Sequence, residues 1–568
     1  MSKKDLHTFI DEIDLKGELK VINSKVSRDL EITEITDRVS KSHGPALLFR
    51  NVEGSKYPVL MNAMGSYKRM SMGLGAHDLD EIGAQIEEYL DLGNYLSIKK
   101  LVRSIPRLLR LIHVFPVKSR FKGECQQVIE KDVDLDTLPV LKCWPEDAGR
   151  FFTLPLVFTK DYKTKQQNVG MYRMQVLSKT TTGMHWHKHK DGSEIYKGYK
   201  ERGMKMPVSV ALGCDPAITY ASTAPLPKMI DEMMLAGWLR KSNVKMVKCI
   251  TNDIYVPANA EIVLEGYVDP SEELVLEGPF GDHTGYYSLA DYYPRFHVTC
   301  ITHKKNAIYP ATIVGKPPME DCYMAKATER IFLPMLRLIM PELIDMNLPL
   351  EGVFHNCAIV SVRGRYPGIG NKIMNSIWGM GQMMYTKLIV VVDETVDVQD
   401  LAQVRDAVLN NVSTESLFIC EGPLDALDHS SNKALYGSRL GIDATGIKDK
   451  EENVGNTYHI LTVHKERPGQ GMEVLELYLK SNPDKFVIVV DDDVSPDDLS
   501  TVMWKVFNNI DAKRDLVMLE NKIGIDATKK WKEEGITRDW PNDIVMSQKI
   551  KQMVSERWKE YGFDESIR

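Results

Sequence analysis

Short segments of alternating apolar and polar residues run through the middle of the chain, from about Cys125 to Pro317. Alternation of this kind predicts half-buried β-strands, because successive side chains on a strand point to opposite faces of the sheet. Turn residues separate the segments at short intervals, which is typical of a barrel or a sandwich. We therefore predict a β-rich central domain over residues 121–320.

Residues 1–120 show a different pattern, in which helical and strand periodicities follow one another. Apolar residues recur at helical spacing over Asp5–Leu15 and Leu30–Ser42. A strand pattern begins at Leu19 after the first helix, and another ends at the turn around Gly54. This order predicts an N-terminal α/β domain.

The segment from Ile98 to Val114 sets basic residues among leucines and isoleucines. The basic residues are Lys99, Lys100, Arg103, Arg107 and Arg110. A basic amphipathic helix can contact an anionic membrane surface, although such a helix more often has one solvated face and one core face. Pro106 interrupts the pattern. We predict a helix with a solvated basic face and keep peripheral membrane contact as the alternative.

The C-terminal part of the chain contains an internal repeat. The segment YTKLIVVVDETVDVQDLAQVRDAVLNNV recurs as PDKFVIVVDDDVSPDDLSTVMWKVFNNI, and GSRLGIDATGIKD recurs as ENKIGIDATKKWKEE. Each copy predicts a buried strand, an acidic turn and a helix, which is half of a βαβ crossover unit. We predict a C-terminal α/β domain over residues 321–568, with the two copies at 385–449 and 483–535.

A helix predicted over Asp543–Tyr561 ends this domain. It carries an apolar stripe made of Ile544, Val545, Met553, Val554 and Trp558. Such a stripe needs a partner surface to cover it. We expect the stripe to pack across a subunit interface or onto the repeat, which would give the C-terminal domain a role in assembly.

Composition and charge narrow the functional classes. The formal net charge of −7 provides no electrostatic basis for binding nucleic acid. The first residues contain no apolar signal core, and no uninterrupted apolar run is long enough to cross a bilayer. The eight cysteines include no CxxC pair, so neither a disulfide framework nor a thiolate metal site is indicated. These features predict a soluble cytoplasmic protein.

Candidate chemistry first appears between Asn168 and His189, in the sequence NVGMYRMQVLSKTTTGMHWHKH. Near-alternation predicts two short strands joined by a threonine-rich turn. On a strand His185, His187 and His189 would share one face, which suggests a zinc site. Histidines also occur on sheet faces without any ligand. Arg173 is costly to bury unless an anion pairs with it.

A second candidate lies in LVLEGPFGDHTGYYS, where Glu277 and Asp282 flank a turn that contains Gly278, Pro279 and Gly281. Such a turn can bring two carboxylates to one cavity. Like charges held close raise the pKa of one carboxyl group, which keeps it a proton donor near neutral pH. The alternative is a solvated loop with two ordinary acids.

The strings NVGMYRMQV, MHWHKH, PLPKMIDEMMLAGWLR and EGPFGDHTGYYS together resemble the UbiD family of reversible aromatic and acrylic acid decarboxylases. The resemblance covers roughly Leu6 to Tyr561, interrupted by one copy of the repeat. It implies an α+β / α/β multidomain fold, with a split β-barrel of the flavin-reductase-like type in the centre. The C-terminal domain, with its duplicated strand–helix unit, would then be an oligomerisation domain. The family uses prenylated FMN, held through its phosphate by a divalent metal, usually Mn²⁺, with K⁺ nearby.

Matched residue by residue, the resemblance implies a metal site of Asn168, His189 and Glu232. The catalytic trio that it implies is Arg173, Glu277 and Asp282, where family members carry either glutamate or aspartate at the last position. The cofactor-binding positions that it implies are Asn168, Met171, Arg173, His189, Ser222, Thr223, Pro225, Glu232 and Lys372. One amide, one imidazole and one carboxylate suit Mn²⁺ or Mg²⁺ better than zinc. The other two histidines would then lie around the site or on the surface.

Two of these positions carry their own structural expectations. Glu232 would lie in the first turns of a helix that begins near Pro227. Lys372 follows Gly368 and Gly370 in RYPGIGNKIMNSIWG, a loop whose composition resembles a phosphate-gripping turn at the start of a helix.

The resemblance implies a non-oxidative, reversible decarboxylase of an aromatic, hydroxylated carboxylic acid. Arg173 would clamp the substrate carboxylate, and Glu277 would return a proton to the vacated carbon, with Asp282 and Arg173 setting its pKa. The substrate candidates are 3-polyprenyl-4-hydroxybenzoate, a naphthoate of menaquinone biosynthesis and a free phenolic acid of aromatic degradation. The implied partners are a flavin prenyltransferase, which supplies the cofactor, and further copies of the chain in a dimer or hexamer.

Two other interpretations stay open. The first is a zinc-dependent hydrolase built on His185, His187 and His189. The second is a non-catalytic flavin-binding assembly subunit, against which the presence of the whole catalytic trio argues.

Overall fold

The computed structural model of the chain describes residues 5–91, 111–186, 191–227, 230–364, 366–446 and 455–564. The chain divides into two compact units. Unit 1 contains Met1–Gly315, Met319–Ala327 and Asp543–Arg568, and unit 2 contains Lys316–Pro318 and Thr328–Asn542. None of the helices in the described ranges combines the length and the apolar content that a membrane span requires.

A four-stranded sheet and four helices form the N-terminal part of unit 1. The sheet has the order β1, β2, β3, β20, with the strands Leu19–Val26, Ala46–Val52, Val59–Met61 and Tyr309–Pro310. The helices α1 to α4 are Leu6–Leu15, Glu31–Lys41, Tyr67–Gly73 and Leu79–Leu90. Asp5 caps α1, since its carboxylate accepts a hydrogen bond from the backbone N–H of Thr8 at 2.9 Å. The two helices and the first strand predicted here are confirmed.

Most of the predicted basic helix, residues 98–110, lies outside the described residues. The part that is described forms a single 3-10 turn at Leu111–His113, and strand β4 follows at Val117–Ser119. Contact of this segment with a membrane surface stays a prediction.

Seven antiparallel strands form the main sheet of unit 1. The order is β10, β19, β14, β11, β7, β8, with β5 also pairing with β19. In that order the strands are Thr181–Gly183, Arg295–His303, Ile262–Val268, Met206–Leu212, Leu156–Lys160 and Gln167–Met171, and β5 is Val128–Glu130. The order ends at β8 on one side and at β10 and β5 on the other, so the described strands do not close into a barrel. The mixed α/β fold is confirmed, whereas the split-barrel detail is not.

Short strand pairs beside the main sheet carry much of the candidate site. The pairs are β6 (Phe151–Phe152) with β9 (Met174–Gln175), β15 (Val275–Glu277) with β18 (Asp291–Tyr293), and β16 (Phe280–Gly281) with β17 (Tyr287–Ser288). A three-stranded sheet has β12 (Lys245–Lys248) in the middle, between β13 (Tyr255–Pro257) and β4 (Val117–Ser119).

Three helices follow the candidate chemistry along the chain, namely α5 Asp191–Lys200, α6 Pro216–Ala221 and α7 Glu232–Arg240. Helix α7 begins at Glu232 rather than near Pro227, so the predicted start is wrong. The reason is the cap: the Asp231 carboxylate accepts a hydrogen bond from the backbone N–H of Met233 at 2.8 Å, which satisfies a donor at the helix start.

Unit 2 contains two sheets. The first has the order β21, β22, β23, β25, β24, with the strands Leu343–Asn347, Cys357–Val362, Leu388–Asp393, Tyr436–Ala444 and Leu417–Pro423. The second has the order β26, β27, β29, β28, with the strands Gly455–Val463, Asp484–Asp491, Lys522–Asp526 and Leu516–Leu519. Helices α8 to α13 are Glu320–Ile339, Ile369–Trp378, Leu401–Asn411, Gln470–Ser481, Leu499–Asn509 and Ala512–Asp515, and α8 contains the boundary between the units.

The two copies of the repeat have the same order of elements, and the similarity begins earlier than the sequence pattern indicates. Each copy opens with a strand and a helix, β22 and α9 in one and β26 and α11 in the other, followed by a parallel strand, a second helix and a hairpin. A Pro-Gly-x-Gly turn precedes both opening helices. Its second glycine is required, because a Cβ on Gly370 would lie 2.4 Å from the Asp443 carboxylate and one on Gly471 would lie 2.8 Å from that of Asp526. Residues 447–449, at the end of the first copy, lie outside the described residues.

The C-terminal helix α14, Gln548–Glu556, is shorter than predicted and belongs to unit 1 instead of the predicted C-terminal domain. Val554 and Trp558 are 0% and 1% exposed, and they are part of the same core as Ile32 and Ile35 of α2. The tail therefore covers the apolar face of a helix near the other end of the chain.

Polar contacts hold the tail in place. Arg38 of α2 donates hydrogen bonds to the Lys551 backbone oxygen at 2.8 Å and to the Ser555 hydroxyl at 2.9 Å. The Tyr561 hydroxyl donates to the Glu31 carboxylate at 2.6 Å. The prediction that the stripe packs onto the repeat or across a subunit interface is therefore wrong for its buried members. The pattern of the stripe shows that a cover is needed, but the identity of the cover depends on a contact more than 500 positions away.

We expect Trp558→Ala to lower the free energy of unfolding by about 3–5 kcal/mol, because it removes a large buried ring from the core shared with α2. Val545→Ala is the control, since Val545 is 51% exposed and its loss is expected to cost less than about 0.5 kcal/mol. Urea unfolding measures the free energy of unfolding of both variants. The unfolding is monitored by far-ultraviolet circular dichroism instead of tryptophan fluorescence, because one variant lacks a tryptophan. Equal unfolding curves for the two variants would contradict the intramolecular packing of the tail.

Candidate active site

Arg173 lies in a break between two short strands. Strand β8 ends at Met171 and β9 begins at Met174, so the predicted strand over residues 167–177 is interrupted. Strand β8 pairs with β7 of the main sheet, whereas β9 pairs with β6. Because the chain changes its partner strand here, the Arg173 side chain leaves the ladder and reaches Glu277 at the end of β15 and Asp282 in the segment that follows.

The guanidinium of Arg173 lies between two carboxylates. Its Nε donates to Glu277 Oε1 at 2.9 Å and its Nη2 donates to Glu277 Oε2 at 3.2 Å. Its Nη1 donates to Asp282 Oδ2. The side chains are 9%, 0% and 14% exposed in the order Arg173, Glu277, Asp282. The structure thus brings the three predicted catalytic residues into one buried, hydrogen-bonded group.

The loop that carries both carboxylates is held from outside by residues that the sequence analysis missed. Gln175 on β9 accepts a hydrogen bond from the backbone N–H of Gly278 at 2.8 Å. Asp147 accepts one from the backbone N–H of Gly281 at 2.7 Å. Burial raises the pKa of Asp147 to about 7, although its hydrogen bonds from backbone N–H groups favour the ionised form. Gln175 is a polar residue in a short strand and Asp147 belongs to no motif, so neither stands out in the sequence.

The pKa of Glu277 differs from the prediction. Two neighbouring carboxylates were expected to raise one pKa, but the pKa values of both Glu277 and Asp282 are lowered. Burial by itself would raise them. The pKa of Glu277 is lowered by the hydrogen bond from His185 and then by the charge of Arg173, and that of Asp282 is lowered by the charge of Arg173 and then by its hydrogen bonds with His283. In this arrangement Glu277 is a carboxylate, and it must receive a proton before it can donate one.

His185 contacts the same carboxylate. Its Nδ1 lies 2.7 Å from Glu277 Oε2, and its side chain is only 8% exposed. Its ring packs on Tyr293, with 4.2 Å between the ring centroids. Burial, followed by the charge of Arg173, lowers the pKa of His185. His185 is therefore a buried neighbour of Arg173 and Glu277, which is one of the two places that the sequence analysis allowed for it.

The three-histidine face predicted for a zinc hydrolase is not formed at its first member. Strand β10 ends at Gly183, before His185, and the Nδ1 of His185 is already engaged by Glu277. His187 and His189 lie outside the described residues. The alternation in the sequence suggested a longer strand, whereas the chain leaves the sheet at that point to reach Glu277.

A second group of polar atoms surrounds Asn168 at the start of β8. The Asn168 Nδ2 donates to Glu232 Oε1 at 3.1 Å, which brings β8 and the start of α7 together. The Asn168 Oδ1 is buried and has no hydrogen-bond partner among the described residues. Burial, reinforced by the charges of Asp231 and Asp191, raises the pKa of Glu232 to about 7. An unused amide oxygen beside a carboxylate with other acids nearby fits a bound cation.

The turn after α6 lies beside the same strand. The backbone N–H of Met171 donates to the Ser222 backbone oxygen at 3.3 Å. The Ser222 hydroxyl donates to the Ile218 backbone oxygen at 3.0 Å, and the Thr223 hydroxyl donates to the Tyr220 backbone oxygen at 2.7 Å. Each hydroxyl has one proton, so these oxygens can offer only lone pairs to a ligand. That favours contact with a cation over a direct bond to phosphate.

Pro225 follows in this turn and is partly buried. Lys372 lies apart from these residues along the chain, at the start of α9 in unit 2, where its ammonium pairs with Glu342. The α9 terminus already faces the Asp443 carboxylate. The assignment of Lys372 to the cofactor phosphate stays a prediction.

Comparison with known protein families gives three matches along the chain. All three are described as domains of 3-octaprenyl-4-hydroxybenzoate carboxy-lyase, the UbiD family. The N-terminal domain matches residues 10–87, the Rift-related domain matches 117–317, and the C-terminal domain matches 322–444 and 450–532.

Proteins of similar sequence occur in distant organisms. An uncharacterized protein of Archaeoglobus fulgidus is 48% identical over 448 residues, which are 78% of this chain and 92% of that protein. An uncharacterized protein of Aquifex aeolicus is 39% identical, and the alignment covers 99% of both chains. The second alignment includes both copies of the repeat, so the duplicated C-terminal unit is not peculiar to this chain.

Solved structures of the same class share the fold. The vanillic acid decarboxylase of Sedimentibacter hydroxybenzoicus, in its closed form, is 25% identical with a TM-score of 0.68, covering 85% of this chain and all of that one. The UbiD-class enzyme HmfF of Pelotomaculum thermopropionicum, in complex with FMN, is similar in fold at 23% identity, with a TM-score of 0.68 over 79% of this chain and 95% of that one. From the three family matches, which together span most of its length, and from these relatives, the chain belongs to the UbiD family of carboxy-lyase enzymes.

Proposed function

We propose that this protein catalyses the non-oxidative, reversible decarboxylation of an aromatic, hydroxylated carboxylic acid with prenylated FMN. The observation that carries the proposal is the buried group of Arg173, Glu277 and Asp282. Two structural neighbours support this substrate class, since one is a vanillic acid decarboxylase and another, from Enterobacter cloacae, is a 3,4-dihydroxybenzoic acid decarboxylase. HmfF supports the cofactor, because it was solved with FMN and, in an evolved dimeric form, with prenylated FMN.

Arg173 is suited to receive the carboxylate of the substrate. An arginine has five N–H donors. Three of them are used by Glu277 and Asp282, which leaves two for a substrate. The two carboxylates also fix the plane of the guanidinium, so a bound acid is held in one orientation.

Glu277 is the group in position to protonate the carbon from which carbon dioxide leaves. Bound prenylated FMN would supply the electron sink for the electron pair of the broken bond. Glu277 is fully buried, so bulk water does not compete with the transfer of its proton. Asp282 lies on the other side of Arg173 and keeps the guanidinium charged and oriented.

Asn168 and Glu232, with His189, are the residues that we assign to the divalent metal, Mn²⁺ by family resemblance. The unused Oδ1 of Asn168 and the raised pKa of Glu232 support this assignment, because a cation would neutralise the local excess of negative charge. We assign K⁺ to the lone pairs of the Ser222 and Thr223 hydroxyls. The metal held by Asn168, Glu232 and His189 would bind the cofactor phosphate and neutralise its charge.

We propose further that the enzyme assembles as a homo-oligomer, a dimer or a hexamer, and receives its cofactor from a flavin prenyltransferase. An evolved dimeric form of HmfF is among the structural neighbours, which supports assembly of this chain as an oligomer.

The proposal has two versions, which differ in the substrate. The description of the family matches points to a polyprenylated 4-hydroxybenzoate, and hence to quinone biosynthesis, with a menaquinone-pathway naphthoate as the related case. The vanillic acid decarboxylase points to a free phenolic acid of aromatic degradation. The test incubates cofactor-loaded protein with prenylated and free 4-hydroxybenzoate, a hydroxynaphthoate, vanillate and 3,4-dihydroxybenzoate, and measures carbon dioxide and the product by chromatography. Turnover of the prenylated acid alone favours the first version, turnover of free acids alone favours the second, and turnover of none rejects the decarboxylase.

We expect Glu277→Gln to lower kcat by at least about 100-fold, because an amide cannot supply the proton. Cofactor absorbance and metal content are expected to stay at the wild-type level, since Glu277 belongs to the trio and not to the metal group. Glu273→Gln makes the same change at an exposed position of the same segment and is the control. Turnover of Glu277→Gln within about tenfold of the wild type would remove Glu277 from the role of proton donor.

Asn168→Ala and Glu232→Ala are each expected to lower Mn²⁺ affinity about 10- to 100-fold or more, because each removes an oxygen ligand. Titration calorimetry with Mn²⁺ and metal analysis after gel filtration measure the loss without reference to activity. Glu201→Ala removes an exposed carboxylate on the surface and is the control. Wild-type affinity in both site variants would disprove the metal assignment.

A further inference from the structure

Glu277 is closed off from solvent, and this raises the question of where its proton comes from. Its side chain is 0% exposed, and both of its carboxylate oxygens accept hydrogen bonds. Under the proposed function, on which this inference rests, Glu277 gives up one proton in each decarboxylation. The proton must be replaced through a neighbouring side chain before the next turnover.

The described side chains that contact the Glu277 carboxylate are Arg173 and His185. The pKa of Arg173 is raised by its two carboxylate neighbours, so the guanidinium does not release a proton. Asp282 bonds to Arg173 and is itself ionised because its pKa is lowered. Tyr293 packs against the ring of His185, and burial raises the pKa of its hydroxyl to about 12. His185 is the one neighbour among these that can both give and take a proton near neutral pH.

We propose that His185 relays protons to Glu277 and holds its carboxylate in position. The Nδ1–H of the neutral imidazole passes its proton to Glu277 Oε2, across the 2.7 Å hydrogen bond, while Nε2 takes a proton from hydronium in the solvent and leaves water behind. One proton thus moves from hydronium to Glu277, which is the proton that each decarboxylation consumes. The ring changes tautomer in this transfer, and exchange of its N–H protons with solvent restores the first tautomer. No oxidant or reductant takes part.

The surroundings keep the ring neutral and fixed. His185 faces Arg173, Glu277, Asp282 and Tyr293, and its pKa is lowered by burial and by the guanidinium. Its backbone N–H also donates to the Arg173 backbone oxygen at 3.4 Å, so its segment is tied to the strand break that positions the trio. A neutral ring transmits a proton without adding a stable positive charge beside Arg173.

Binding of an anionic substrate makes the relay directional. A carboxylate on the remaining donors of Arg173 adds a negative charge next to Glu277, which disfavours a second ionised group there. Glu277 then takes up the proton that His185 offers. Proton uptake is therefore coupled to the arrival of the substrate.

The substitution His185→Asn distinguishes the relay of protons to Glu277 from the positioning of its carboxylate. The Nδ2–H of an asparagine at position 185 can occupy the place of the imidazole Nδ1–H, but an amide cannot pass a proton on. We expect His185→Asn to keep thermal stability, cofactor content and product affinity within about threefold of the wild type, and to lower kcat by about 100-fold. His185→Ala is expected to lower kcat at least as much and to recover activity when free imidazole is added.

A second readout does not depend on turnover. Loss of the Nδ1–H donor is expected to raise the pKa of Glu277, because the donor favours the ionised carboxylate. Infrared difference spectra of His185→Ala against His185→Ala/Glu277→Gln, recorded as a function of pH, isolate the protonated carboxyl band of Glu277. The band is expected to persist to a higher pH in His185→Ala than in the wild type.

The matched control is His297→Asn. His297 also pairs with a carboxylate, since its Nε2 lies 2.9 Å from Glu272 Oε2, but this pair lies apart from the trio. Its kcat is expected to equal that of the wild type. Wild-type kcat in His185→Asn would overturn the relay, and an unchanged Glu277 band in His185→Ala would overturn the positioning role. A wild type that releases no carbon dioxide from any acid would overturn the proposed function itself, and the relay with it.

Discussion

The candidate site depends on one buried guanidinium between two buried carboxylates. Transfer of these charges from water to the interior is costly, and the cost is offset only when each charge has a partner in good geometry. Arg173 provides that partner for both Glu277 and Asp282. The group carries a net negative charge, and His185 supplies an additional donor to it, while Gln175 and Asp147 accept hydrogen bonds from the loop backbone and hold the loop in place. Removing Arg173 would leave two carboxylates in the interior without their common partner.

Strand β8 connects this group to the candidate metal site. Asn168 lies near the start of the strand and Arg173 lies just beyond its end, so a five-residue strand separates a cation-binding group from an anion-binding group. The two groups differ in charge: burial and the charges of Asp231 and Asp191 raise the pKa of Glu232, whereas two N–H donors of Arg173 are not used by Glu277 or Asp282. A cofactor phosphate bound through a metal at one end and a substrate carboxylate at the other would satisfy both.

The duplicated unit and the C-terminal tail have different structural roles. In both copies a carboxylate from the end of a strand lies against the second glycine of a Pro-Gly-x-Gly turn, so the positive end of the following helix faces Asp443 or Asp526. This internal pairing accounts for the same turn in both copies. The tail leaves this region and returns to unit 1, where Trp558 completes the core beneath α2. Its apolar residues are thus covered within the chain.

The sequence determined the parts that depend on local pattern or on intact motifs. Helices α1 and α2, the strand–helix repeat and the grouping of Arg173 with Glu277 and Asp282 follow from periodicity and from residue-by-residue matching. The tertiary structure decided the rest, because these features depend on contacts between distant segments. The lowered pKa of Glu277 requires His185 and Arg173 to reach its carboxylate, and His185 reaches it where strand β10 has ended at Gly183. The sign of a pKa shift depends on which charges lie near the group in space. The spacing and composition of the sequence do not give those positions.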